Sequence, residues 1–319
     1  MTGPGETGRA RLRLEVSDLI IAFEDETAER QPVARDEVVA RLRAAGDRRA
    51  ADRVAQMPVD VLGYLLPGPV DELLIRMHTE LQRLWEELRQ VDLAAGILRP
   101  LLATVRSSTP GAEDRPLRVV DVGCGIGYFV RWASSSGALG PGVEVVGCDI
   151  DPVLVAEARR LADAEGLVCR FEIGDAFALP SGADVYVSCG VLHHVEADRL
   201  SAFFAGQQEA GGFIHWDPVP SYLSTLGAWL FHRARMREPL ARHDGLRSIQ
   251  RGHTDEVLLA AVAAGAPQMA SALHGLPNRR LPVLDVIRPV IGVQPEMAAP
   301  FREALGPAAR RLVPGRGNW

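Results

Sequence analysis

The sequence predicts an α/β protein in which a doubly wound parallel sheet follows an all-helical region. Three observations carry this. From residue 117 onward, short β-branched runs alternate with helix-like stretches. Those runs are continuously apolar, as strands covered on both faces must be. Before residue 107 the apolar residues recur instead at three- and four-residue steps.

The bulk properties bound the partners. The chain has 319 residues, 47 % of them hydrophobic and 24 % charged, which is ordinary for a globular protein. A net charge of −6 lacks the basic surplus that neutralises phosphates, so no nucleic-acid partner is expected. All 35 basic residues are arginine, which excludes a lysine base or Schiff base. The first residues lack the apolar segment of a secretory signal. No apolar run reaches the roughly 18 residues of a membrane span, so a cytoplasmic protein without membrane partners is expected. Cys124, Cys148, Cys169 and Cys189 form no C-x-x-C pair, so buried free thiols are expected and no metal site.

Residues 1–14 read as a loose Gly- and Arg-rich start. Short helices are expected around Leu19–Phe23 and Val38–Leu42, with a turn at Tyr64–Pro69. A long helix then begins near Pro69, because Leu73, Leu74, Met77, Leu81, Leu84, Trp85, Leu88 and Val91 share one face. A second stripe runs Leu93, Ile97, Leu98, Leu101, Leu102 and Val105. Residues 1–106 are thus expected to form a helical region, either a lid over a cleft of the domain that follows or the surface of a homodimer. The polar stretch 107–116 is a linker.

Residues 107–319 form the sheet domain. Its strands are expected at Leu117–Val122, Glu144–Asp149, Cys169–Ile173, Asp184–Ser188 and Gly212–Trp216. Helices cover Pro152–Gly166 and Ala197–Ala210. Residues 218–265 read as a helical insertion with Trp229 and Phe231 packed inside. Two late strands follow, Met269–His274 and Leu284–Val293. Pro289 argues for an edge or a bend in the second. The tail from Pro295 on shows no clear pattern.

The chemistry concentrates at strand ends. Val119–Phe129 runs from a buried strand through Gly123, Gly125 and Gly127 into a helix. The spacing is G-x-G-x-G, and the third glycine of a dinucleotide fingerprint is missing at Tyr128. Asp121 beside the turn repels a pyrophosphate but suits a cationic ligand. The second strand ends in Asp149, placed for ribose hydroxyls. The third leads to Asp175 and the fourth to Cys189, Gly190, His193 and His194. The glycine spacing and Asp121 exclude an NAD-dependent dehydrogenase.

In order and spacing, residues 117–217 resemble the class I S-adenosylmethionine (SAM)-dependent methyltransferases, of the bacterial small-molecule type. The resemblance implies a Rossmann-like seven-stranded sheet, its last strand antiparallel. It implies SAM as cofactor, with Asp121, Gly123, Cys124, Gly125 and Gly127 at the methionine end. Asp149 would hold the ribose and Ile150 the adenine face. Asp175 and Ala176 would read the adenine edge, and Cys189 and Gly190 would floor the sulfonium site. The implied reaction is in-line methyl transfer to a small secondary-metabolite-type acceptor. A base, where one is needed, is sought among histidines: His194 first, then His193, with Asp217, Tyr222 and His253 in reserve. Two alternatives stay open. One is another SAM chemistry, aminocarboxypropyl transfer or cyclisation, which releases methylthioadenosine. The other is a non-catalytic SAM-binding subunit.

Overall fold

The structure, a computed structural model, describes residues 13–24, 29–275 and 287–319. The chain divides into two units, Met1–Leu73 and Leu74–Trp319, and the division falls inside a helix.

The first unit carries α1 (Val16–Ile20), α2 (Arg35–Ala44) and α3 (Arg48–Val54). Each buries a short apolar face: Val16, Leu19 and Ile20; Val38, Val39 and Leu42; Ala50, Ala51 and Val54. Phe23 is not helical but bridges Arg30 in extended backbone. Helix α4 (Pro67–Glu87) starts in this unit and ends in the next.

In the second unit, α5 (Gln90–Ser108) follows a break at Arg89, which has a left-handed backbone (φ 51°). The break shifts the apolar phase. Leu88 and Leu93, which flank the break and were assigned above to the two stripes, are therefore exposed, while Leu84, Val91, Ala94 and Leu98 are buried; Leu81, earlier on α4, is exposed too. The sheet elements follow in the order β1 (Leu117–Val122), α6 (Tyr128–Ser136), β2 (Val143–Asp149), α7 (Pro152–Ala164), β3 (Arg170–Ile173), β4 (Val185–Cys189), α8 (Leu200–Ala205) and β5 (Gly212–Pro218). Next come α9 (Tyr222–Arg235), α10 (Pro239–Arg251), α11 (Asp255–Gly265), β6 (Ala270–His274), β7 (Ile287–Val293), α12 (Ala298–Leu305) and β8 (Leu312–Arg316). Residues 284–286 of the last expected strand lie outside the described residues.

The strand order is β3-β2-β1-β4-β5-β7-β6-β8. Strands β1 to β5 pair in parallel, and β7 runs antiparallel between β5 and β6. The expected seven strands are there, and the tail adds β8 beside β6. Pro289 sits in an interior strand, not at an edge. The β6 ladder stops at Val290, so its missing N–H falls where β5 alone pairs.

The sheet is covered on both faces. On one, α5 and α12 pack over Val119, Val187, Ile214 and Ile291. On the other, Phe203, Phe204 and Val262 of α8 and α11 pack over Val120, Val122, Tyr186 and Phe213. Helix α5 approaches β5 over bare backbone: a Cβ on Gly212 would lie 3.1 Å from Leu101 and one on Gly211 2.9 Å from Val105. Trp229, expected inside, is exposed, because α9 buries the small face of Ser224 and Ala228 instead. Among the described residues no helix is long and apolar enough to cross a membrane.

Candidate functional site

Parallel strands end on one rim, and the acidic residues stand there. Asp121 is the penultimate residue of β1, Asp149 the last of β2, Cys189 the last of β4 and Asp217 the penultimate of β5. The turn after β1 is pinned to the tip of β2. Gly123 N and Cys124 N donate to the Cys148 carbonyl (2.7 and 3.1 Å), and Gly125 N donates to Asp149 Oδ2 (2.7 Å). Asp149 Oδ1 accepts from Asp151 N (3.0 Å), and Asp151 caps α7 through Val153 N (2.9 Å). Asp149 is therefore fixed in orientation by two backbone amides.

Gly125 has φ 52° and is buried, and a Cβ there would lie 2.7 Å from the His78 ring of α4. Gly127 does a different job. A Cβ there would meet Phe171 at 2.4 Å and Ala158 at 2.9 Å, so it lets the turn pack on β3 and α7. Cys124 points its sulfur at the Gly147 backbone and contributes to the rim through its main chain.

Asp121 is 4 % exposed. Burial and the neighbouring Asp149 push its carboxyl up to about 8. A cation placed beside it would favour the ionised form. Cys189 is held well above the ordinary thiol range by burial and by Asp121 and Asp217, so it is no thiolate nucleophile. Around β3, Gly174 N donates to the Asp149 carbonyl (3.0 Å) and Asp175 Oδ1 accepts from Phe177 N (2.9 Å). Ile150 and Ala176 are half-buried beside them.

Past Gly190, a 3₁₀ turn (Leu192–His194) carries the two histidines. His193 and Asp217 are both buried, and His193 Nδ1 lies 3.0 Å from Asp217 Oδ1. Asp217 Oδ2 is buried without a hydrogen-bond partner among the described residues. His194 is exposed, its ring 4.2 Å from that of His193. His253 Nε2 donates to the Leu192 and Val195 carbonyls (both 3.0 Å), so it grips this turn from behind. Tyr222 is exposed at the start of α9. His215 is a core residue. It accepts from Ser188 (2.8 Å) and donates to Gln207 (2.7 Å), and burial pushes it down to about 3.

Residues 119–209 match the family described as "Methyltransferase domain". The match takes in 119–209 of the 319 residues, and this stretch is similar to a methyltransferase domain. Two curated relatives match part of the chain. Demethylmenaquinone methyltransferase of Thermus thermophilus is 43 % identical over 68 residues, 21 % of this chain and 30 % of the relative. The enzyme of the same name from Deinococcus radiodurans is 45 % identical over 65 residues, 20 % and 26 % of the two chains. The chain thus spans under a third of the length of these relatives. Magnesium protoporphyrin IX methyltransferase from Synechocystis, solved with bound SAH, is 18 % identical with a TM-score of 0.43, covering 81 % of this chain and 99 % of that one.

Within the matched stretch, the rim suits a ligand that carries positive charge. It offers a buried carboxyl coupled to a second, oriented carboxylate, beside a turn whose glycines have left-handed backbone and of which Gly123 is exposed. His78 was not among the sequence candidates, although it is a polar ring on the apolar stripe of Leu74 and Met77. That placement is the signal that could have found it.

Proposed function

We propose that this chain is a SAM-dependent methyltransferase acting on a small-molecule acceptor. The observation that carries the reading is the junction of Gly125, Asp149 and Asp121 at the tips of β1 and β2. Asp149 would hold the ribose, with Ile150, Asp175 and Ala176 around the adenine. Asp121 and the backbone of residues 123–125 would hold the methionine end. SAM supplies a methyl group already activated by its sulfonium. The protein's task is to align acceptor and methyl in a dry cleft and to remove a proton where the acceptor has one to lose.

His193 is the base this geometry favours. A carboxylate can only accept from its Nδ1–H, so Asp217 fixes the tautomer and makes Nε2 the basic nitrogen. The His193 ring lies in ordinary contact range of Gly190, 3.7 Å from where a Cβ would stand. His253 would act by positioning the turn, and His194 would line its exposed side. A small-molecule acceptor is supported by the two curated relatives, which are named for demethylmenaquinone. A cytoplasmic enzyme and a homodimer remain part of the proposal.

Isothermal titration tests the pocket. Asp149→Ala should abolish SAM binding, and unchanged affinity would show that the pocket is misassigned. Product analysis tests the reaction. S-adenosylhomocysteine marks methyl loss, whereas methylthioadenosine would mark aminocarboxypropyl transfer or cyclisation.

A further inference from the structure

The geometry points to His78 as a ligand-binding residue at the amino-acid end of the cofactor, accepting a hydrogen bond from its ammonium through Nε2. This rests on the SAM reading of the same rim. His78 Nδ1 lies 2.9 Å from the Leu74 carbonyl, one turn back on α4. A carbonyl can only accept, so Nδ1 carries the hydrogen and Nε2 of the neutral ring offers a lone pair. The ring lies against Gly125, with Cδ2 2.7 Å and Nε2 3.2 Å from where a Cβ would stand. No side chain at position 125 leaves room for it. Position 125 lies between Asp149 on one side and this imidazole on the other.

The wall that carries His78 is held on two sides. One turn further on, Gln82 Oε1 accepts from Arg131 (2.6 Å). Arg131 is buried in α6, the helix that leaves the glycine turn, and its own N–H donates to the Gly127 carbonyl (3.0 Å). On the other side Glu80 accepts from Arg237 N (2.8 Å), and Glu87 pairs with Arg235 (2.6 Å). The imidazole is thus fixed relative to the turn it covers, which is what a specificity contact needs. Asp121 is the acid that shares this end, so a ligand ammonium would meet an anion from β1 and a neutral acceptor from α4.

The test compares SAM with methylthioadenosine, which keeps the nucleoside and lacks the amino-acid end. Titrations use the full-length protein, His78→Phe and His78→Ala. A lost hydrogen bond to a charged group should weaken SAM binding by roughly tenfold or more in both variants. Methylthioadenosine should bind all three equally, which also shows that the variants are folded. If His78→Phe keeps full SAM affinity, the ring only packs and the inference is overturned. Equal losses for both ligands would assign His78 to structure alone, and overturn it too. SAM binding that depends on Asp149 but not on His78 would sink this inference and leave the cofactor reading standing. No SAM binding by the unaltered protein would sink both.

Discussion

On the proposed cofactor reading, Asp121 exchanges stability for a ligand contact. Its carboxyl ordinarily titrates near 3.8 and is raised to about 8 in the fold. Between those values the folded chain keeps a proton that the unfolded chain has lost. Stability from this group is therefore full below about pH 4 and falls as pH rises toward 8, by up to ~1.4 kcal/mol per unit. Asp121→Asn should flatten that slope in denaturant unfolding at pH 5 and pH 8, and should also weaken SAM binding. A ligand cation needs the ionised carboxylate, so the affinity of the unaltered protein should rise over the same interval. The paired residues His193 and Asp217 make a separate claim. His193→Ala and Asp217→Asn should each lower kcat by about 10²–10⁴ with an acceptor that must lose a proton, as is usual for a positioned base. Both should leave SAM affinity, measured by titration, near its original value.

Among the elements, α5 shows how packing rather than the linker sets the organisation. The polar stretch 107–116 reads as a boundary, yet α5 lies in the core of the sheet unit, with Leu98 and Leu101 fully buried. Leu101→Ala should cost ~2–5 kcal/mol in denaturant unfolding, the range for a large buried aliphatic residue. The central strands were readable in the sequence because a strand covered on both faces is apolar at most positions. Leu117–Val122 ends where its apolar run ends, and β2 differs by one residue from expectation. The α4 and α5 stripes were harder to read, because the break at Arg89 rotates the buried face and no glycine or proline announces it. Candidate acids could be found because each stands at or just past the end of a strand. The closeness of His78 to Gly125 could not, since 47 residues separate them and neither carries a motif that names the other.

Over the whole molecule, the five parallel strands followed from strand–helix alternation and the two late strands from their own apolar runs, whereas the order in which the strands pair, and β8, did not. Its segment, LVPGR, includes a proline and a glycine and pairs on one side only, so it has almost no strand signature. It nonetheless closes the sheet beside β6, and Trp319 Nε1 donates to the Ser271 carbonyl (2.9 Å) and stacks edge-on to Phe301. Removing residues 312–319 should lower the Tm and expose the β6 edge. Size-exclusion chromatography of the truncated chain should show self-association beyond that of the full chain.

The double grip of His253 on the Leu192–Val195 backbone bears on how such an enzyme could be re-engineered. The helices α9 and α10, between Tyr222 and Arg251, form one stretch that a designer could exchange as a unit. A transplant whose downstream seam falls before Gly252 would leave the histidine latch in the host. A seam placed after Thr254 would replace that latch with whatever the donor carries, and the pair at His193 would lose its backing even though neither His193 nor Asp217 had been altered by design.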